Sequence, residues 1–243
     1  MGSALASQLA SSASLILFDR HHDKAKALAK ELKCTAAADL HKAIEQAKII
    51  LLAIKPKDLK DFATSVQLSK NHLLISILGA TPLSHLRQLF PHPAIVRALP
   101  NLAVQCGKGV VGLSAENESH RAEVETLFKG LGLLLWLSEP QLEALSAIAG
   151  SGPAFIFVLI EAMMESGVYL GFKPDQALAL VLQTMEGAIA LLKTSHKHPA
   201  ELKLQVASPG GTTIAGLKAL EESGMRGHLM NVFLATFLKR PLS

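Results

Sequence analysis

The stretch that decides the fold is residues 48–56, KIILLAIKP. Six apolar residues in a row stand between Lys48 and Lys55. A strand with one wet face would alternate apolar and polar residues, and this one does not. It reads as a strand covered on both faces, with Pro56 opening a helix that runs to Val66. The same texture recurs on either side, at residues 14–18 (SLILF), 72–78 (HLLISIL) and 94–98. Helix-like runs separate these segments at residues 23–32 and after Thr81-Pro82. Doubly covered strands alternating with helices predict a parallel sheet sandwiched between helical layers. An irregular strand region at 104–113, a helix at 119–129 and a strand at 133–137 complete that half.

After Glu139 the texture changes. Residues 141–149, 153–171, 174–194, 199–206, 213–223 and 226–238 all read as helices. They are broken by Gly-Ser-Gly-Pro at 150–153, by Gly171, by residues 196–198 and by Pro209-Gly210-Gly211. The expected division is an α/β domain over residues 1–138 and an all-α domain over 139–243. Ala, Leu, Ile and Met run almost round several of these helices. One small domain cannot bury that many, so an interface between subunits is expected.

Composition narrows the function. The chain has 243 residues, 49% hydrophobic and 18% charged, which excludes intrinsic disorder. The apolar charge-free stretch at residues 144–160 is short of a membrane span and is interrupted at Gly150 to Pro153. Net charge is +4, lysine and arginine are scattered, and there is one Trp and one Tyr, so no nucleic-acid partner is expected. Two cysteines, Cys34 and Cys106, make neither a disulfide framework nor a metal site. Residues 1–10 lack a basic region of the signal-peptide kind, and a cytoplasmic location follows as the expectation.

A doubly wound, Rossmann-like sheet begins with a strand, a glycine-rich turn and a helix. Here residues 1–6, MGSALA, look like the first turn of that helix, and Gly2 is what remains of the turn. Residues 14–18 then stand where the second strand belongs. Asp19 at its end is placed to bind an adenosine ribose, and Arg20 beside it is placed for a 2′-phosphate; as ordinary loop charges they would do neither. The first strand of such a sheet lies at its centre, so a chain without it leaves two inner edges unpaired.

The chemically richest stretch is residues 208–213, SPGGTT, leading into a helix. Two glycines let the main chain approach a ligand, and the helix start offers free N–H groups that suit a carboxylate. Ser208, Thr212 and Thr213 add hydroxyl donors. The plainer reading of the same residues is an N-cap after a turn. No nucleophile and base stand together, as expected where a cofactor carries the chemistry.

These segments resemble pyrroline-5-carboxylate reductase. The likeness runs through 150–157 (GSGPAFIF), 166–171 (SGVYLG), 208–217 (SPGGTTIAGL), Gly224-Met225-Arg226, 53–56 (AIKP), 96–101 (VRALPN) and 1–5. It implies reduction of 1-pyrroline-5-carboxylate to L-proline by NADPH or NADH. It implies a Rossmann-like domain without its first strand and a helical dimerisation domain, paired as a homodimer and assembled up to a decamer. By the same resemblance Thr213 hydrogen-bonds the imine nitrogen, and Ser208, Gly211 and Thr212 hold the substrate carboxylate, with Glu139 at the substrate site. Gly2, Asp19, Arg20, Ala53, Ile54, Lys55, Pro56, Gly79, Asn101 and Gln205 line the cofactor.

The departures from the family pattern sit on the cofactor side: the strand and leading glycines, Leu40, Leu99, and Leu102-Ala103. Two expectations follow. The leading one is a working reductase whose sequence lacks its natural start. The other is a non-catalytic paralogue acting as a binding or assembly subunit. A related hydroxyacid-type dehydrogenase ranks last, because Lys193 and Lys203 have no supporting motif residues.

Overall fold

The computed structural model describes residues 1–239. The chain divides into two compact units, Met1–Gly150 and Ser151–Leu238.

In the first unit, helix α1 (Gly2–Leu9) leads to strand β1 (Ile16–Leu17), α2 (His22–Leu32) and β2 (Thr35–Ala36). Then come α3 (Leu40–Gln46), β3 (Ile49–Leu52), α4 (Leu59–Ser65), β4 (Leu73–Ser76), α5 (Leu83–Leu89) and β5 (Ala94–Pro100). Strand β6 (Gly109–Ala115), α6 (Arg121–Phe128), β7 (Gly132–Trp136) and α7 (Glu139–Leu145) close the unit. The main sheet has the order β3-β4-β5-β6-β7. Strands β3, β4 and β5 are parallel, with Ile49 beside Leu73 and Leu73 beside Ala94. Strand β6 turns back antiparallel to β5, and β7 runs parallel to β6.

The doubly apolar reading of the strands is realised as two core layers. Leu73 and Ile75 of β4 face a layer holding Leu5 and Leu9 of α1 and Val124 and Phe128 of α6. Leu74, one residue out of phase, faces Leu59 of α4 and Leu86 of α5. Each such fully buried Leu or Phe contributes about 2–3 kcal/mol of burial free energy. The close approach of β6 and β7 needs glycine on both sides. Gly132 has φ +126°, and a Cβ there would lie 2.2 Å from the Gly109 carbonyl oxygen.

Several elements differ from the sequence expectation. Strand β1 is two residues long rather than five. Strand β2 and helix α3 were not expected. Helix α3 is started by Asp39, whose carboxylate accepts from the His41 and Lys42 N–H groups. The region 104–113 resolves into a tight turn at Leu102–Cys106 followed by β6, with Gly107 in the left-handed region between them. Helix α7 packs on the sheet, with Leu142 fully buried under Gly112. The compact unit ends at Gly150, where the sequence expectation put the boundary after residue 138.

Strands β1 and β2 form a separate two-stranded parallel sheet. Among the described residues no strand joins β1 to β3, so the inner edge of each is unpaired, as the sequence implied.

The second unit is all helical: α8 (Gly152–Tyr169), α9 (Pro174–Ser195), α10 (Pro199–Val206), α11 (Thr212–Glu222) and α12 (Met225–Leu238). Helices α8 and α9 meet where Gly167 approaches Ala177; a Cβ at 167 would lie 2.9 Å from that of Ala177. Phe155 and Phe233 pack edge to face at 5.3 Å. Little else is buried. Phe157 is 59% exposed, Leu170 75% and Leu238 78%. Two helical stretches, 139–169 and 174–195, are long and apolar enough to cross a membrane by length and composition. Residues 240–243 of the expected helical domain lie outside the described residues.

Candidate active site

Because β3, β4 and β5 are parallel, their carboxyl ends lie on one edge of the sheet, where open α/β sheets bind ligands. Ala53 follows β3, Gly79 follows β4 and Asn101 follows β5. Ala53, Lys55, Pro56 and Gly79 are exposed, and Ile54 is half-buried. Lys55 is extended, and Pro56 begins a tight turn to Asp58. No atom lies within 4 Å of where a Gly79 side chain would begin, so the main chain there is open to a ligand. Gly2 lies against the end of β3: a Cβ on it would be 3.1 Å from that of Ala53. The start of α1 carries no capping side chain and no acidic residue, so its free N–H groups are unopposed.

Asp19 and Arg20 follow β1. One carboxylate oxygen of Asp19 accepts from the His21 N–H at 2.8 Å. Arg20 reaches Asp58, beyond the end of β3, at 3.4 Å with its side chain 68% exposed. The pair brings the ends of β1 and β3 together, yet an exposed contact of that length holds the guanidinium weakly. The residues present at this edge fit a dinucleotide through strand ends, one helix start and the Asp19-Arg20 pair.

Asn101 is nearly buried and fully engaged. It donates from Nδ2 to the Ala149 carbonyl, and its Oδ1 accepts from the Val110 N–H, both at 3.0 Å. Glu139 is likewise committed within the unit. Its Oε1 accepts from Arg97 Nη1 at 2.5 Å and from the Leu83 N–H at 2.9 Å, at the start of α5. Arg97 also donates to Glu143 at 2.8 Å. Arg97 is the organising charge that sequence reasoning missed. It is buried in the middle of β5, and only its place in VRALPN marked it.

In the second unit, α11 begins as expected at the SPGGTT stretch. Gly210 has φ +69°, and the Gly211 N–H donates to the Ser208 carbonyl at 3.1 Å. A Cβ on Gly211 would lie 2.3 Å from Ser208 Oγ, so the serine hydroxyl folds over the glycine. No side chain caps α11. The side-chain N-cap of the plainer reading is thus not made. Thr213 is half-buried there, Thr212 is exposed, and Gln205 is exposed on α10. Among the described residues no group of three metal-binding side chains occurs.

Comparisons with known proteins agree with this division of labour. Residues 139–240 match the family profile for pyrroline-5-carboxylate reductase dimerisation. Residues 1–79 match that for NADP oxidoreductase, coenzyme F420-dependent. A pyrroline-5-carboxylate reductase of Aquifex aeolicus is 35% identical over 229 residues, 93% of this chain and 86% of the relative. The crystal structure of 1-pyrroline-5-carboxylate reductase from Streptococcus pyogenes superposes with a TM-score of 0.88 at 28% identity, over 98% of this chain and 93% of that one. A Plasmodium falciparum pyrroline carboxylate reductase with NADP bound superposes with a TM-score of 0.86 at 26% identity, over 98% and 92% of the two chains. A nucleotide-type sheet edge, an uncapped helix start with serine and threonine hydroxyls, and this extent of identity lead to one conclusion: the chain belongs to the pyrroline-5-carboxylate reductase family.

Proposed function

We propose that the protein reduces 1-pyrroline-5-carboxylate to L-proline, the last step of proline synthesis, using NADPH or NADH. The observation that carries this reading is the uncapped start of α11 behind Ser208, Gly210 and Gly211. An N-terminus with free N–H groups and a positive dipole end suits the substrate carboxylate. The Thr212 N–H and the Ser208 hydroxyl hold that carboxylate, and Gly211, whose own N–H is bonded to the Ser208 carbonyl, lets the main chain approach it. Thr213 donates its hydroxyl to the ring nitrogen, orienting the C=N bond and supporting the charge change at nitrogen. The reduced nicotinamide, when bound, supplies the hydride. Gly2, Ala53, Ile54, Lys55, Pro56 and Gly79 line its site at the sheet edge, and Asp19 or Arg20 meets the adenosine ribose. Gln205 is assigned to cofactor binding.

Asn101 and Glu139 act by position. Their bonds to Ala149 and to Arg97 and Leu83 fix α7 and the strand end near the nicotinamide. The exposed apolar helical faces pair with a second copy rather than with lipid, giving a homodimer that can assemble to a decamer. The protein works in the cytoplasm, with no nucleic-acid or membrane partner.

The test is rescue of a proline auxotroph by this chain, run beside a version with a strand and a Gly-x-Gly turn placed before Met1. Growth without proline supports the reading; no growth from either, with both proteins soluble and dimeric, contradicts it. The alternative, a non-catalytic binding or assembly subunit, is not favoured, because relatives 33–35% identical over more than nine-tenths of the chain are pyrroline-5-carboxylate reductases; it expects helical dimerisation with no NAD(P)H binding by calorimetry.

A further inference from the structure

We infer that Arg97 and Glu139 are positioning residues for the cofactor, which hold the turn after β4 with Ala80 in the left-handed region. Among the described residues three non-glycine residues have a positive φ: Lys33, Ala80 and His196. Lys33 and His196 end helices α2 and α9, where a left-handed residue is a common stop. Ala80, with φ +52°, ends no helix. It stands between β4 and α5, next to Gly79 at the carboxyl edge of the sheet. A left-handed alanine costs free energy that glycine escapes, so the surrounding bonds have to hold it there.

Those bonds flank the turn. Thr81, which is buried, donates its hydroxyl to the Gly79 carbonyl at 3.1 Å. Leu83, also buried, donates its N–H to Glu139 Oε1 at 2.9 Å. No local side chain serves that N–H: α5 has no capping side chain, and its first turn has no acidic residue. The acceptor comes instead from 56 residues away. The same oxygen accepts from Arg97 Nη1, so Arg97 fixes where the acceptor sits. Arg97 in turn pairs beside Ser76, the last residue of β4, and donates to Glu143 at 2.8 Å. One chain of contacts thus runs from the end of β4 through Arg97 and Glu139 to the far side of the turn. Between its two ends Gly79 and Ala80 are exposed. Packing of the Ala80 methyl therefore does not demand the left-handed φ. What that φ does is present the Gly79 main chain, which has open space around it, at the edge where a dinucleotide lies.

The inference rests on the reductase reading for the identity of the ligand, and Ala80 gives a readout apart from catalysis. The full chain is compared with Glu139→Ala, Glu139→Gln, Arg97→Met, Ala80→Gly and the pair Glu139→Ala with Ala80→Gly. Backbone couplings and carbon shifts of Ala80 report its φ, and NADPH titration reports affinity. Ala80 should leave the left-handed region in Glu139→Ala and in Arg97→Met. It should stay there in Glu139→Gln, whose amide oxygen still accepts from Leu83. NADPH affinity should fall about tenfold in Glu139→Ala, with the KM for 1-pyrroline-5-carboxylate unchanged. Adding Ala80→Gly should restore most of that affinity, because glycine takes a positive φ without strain. Ala80→Gly alone should raise the melting temperature. A lower one overturns the proposal, even where Glu139→Ala does not fold. So does an Ala80 that keeps its φ in Glu139→Ala or Arg97→Met, or lost affinity that glycine does not recover. If the parent does not bind NADPH while Ala80 moves as expected, the hold by Arg97 and Glu139 stands and the reductase reading fails.

Discussion

Arg97 in β5 donates to Glu139 at the start of α7 from a guanidinium only 2% exposed, while the two glutamates it holds are about one-third exposed. The asymmetry predicts an order of effects. Removing the carboxylates strands a buried charge whose Nε already has no partner. Glu139→Gln combined with Glu143→Gln should therefore cost about 3–5 kcal/mol in urea unfolding. Arg97→Met leaves carboxylates that water can reach, and it should cost less. The reverse order would show that Arg97 is not the buried charge that these residues serve.

Thr213→Ala should lower turnover by about ten- to a hundredfold, the effect of losing one positioned donor. Substrate binding should weaken little, because the carboxylate is held by neighbouring groups. Steady-state rates with saturating NADPH decide it; unchanged turnover removes Thr213 from its role.

Gly211→Ala addresses the carboxylate side. The new methyl group must displace Ser208 Oγ, the end of a short side chain that can rotate away. The expected result is a KM raised about tenfold with the melting temperature nearly unchanged. A large drop in melting temperature with normal KM would place the close contact in folding instead.

Arg20→Ala should lower kcat/KM for NADPH and leave NADH unaffected, whereas Asp19→Ala should do the opposite. The weak contact of Arg20 with Asp58 leaves it able to turn to a 2′-phosphate. Equal effects of each variant on both cofactors would remove the pair from the ribose site.

Acid stability should report the ion pair of Arg87 with Glu116. The Arg87 hydrogen bonds hold the Glu116 carboxyl below its ordinary value, with burial opposing and the guanidinium charge helping. A depressed folded-state pKa stabilises the protein above the unfolded value of about 4.3. That stabilisation is lost as pH falls through the lower folded value. Glu116→Gln should therefore unfold more easily at neutral pH, and the gap from the parent should close on acidification. A gap that is constant with pH would contradict the linkage.

The sheet was legible because residues 48–54 and 72–78 are apolar without alternation, a pattern that only doubly covered strands need. Helix α3 was not legible, because its seven residues are too few for a period and its start rests on Asp39, one cap among many polar residues. The place of α7 was hidden for another reason. Its attachment to the sheet depends on a buried arginine forty-two residues away from Glu139 and on the open face of Gly112. Neither leaves a periodic trace. The SPGGTT stretch announced a ligand or a cap, and the absence of a capping side chain on α11 favours the ligand.

The measurement closest to the central claim is proline formation from 1-pyrroline-5-carboxylate and NADPH by the purified chain carrying a strand and glycine turn before Met1, with Thr213→Ala in parallel. Substrate-dependent NADPH consumption matched by proline, and reduced about ten- to a hundredfold in the variant, is the expected result. NADPH binding without proline formation, or equal rates from both proteins, would contradict it.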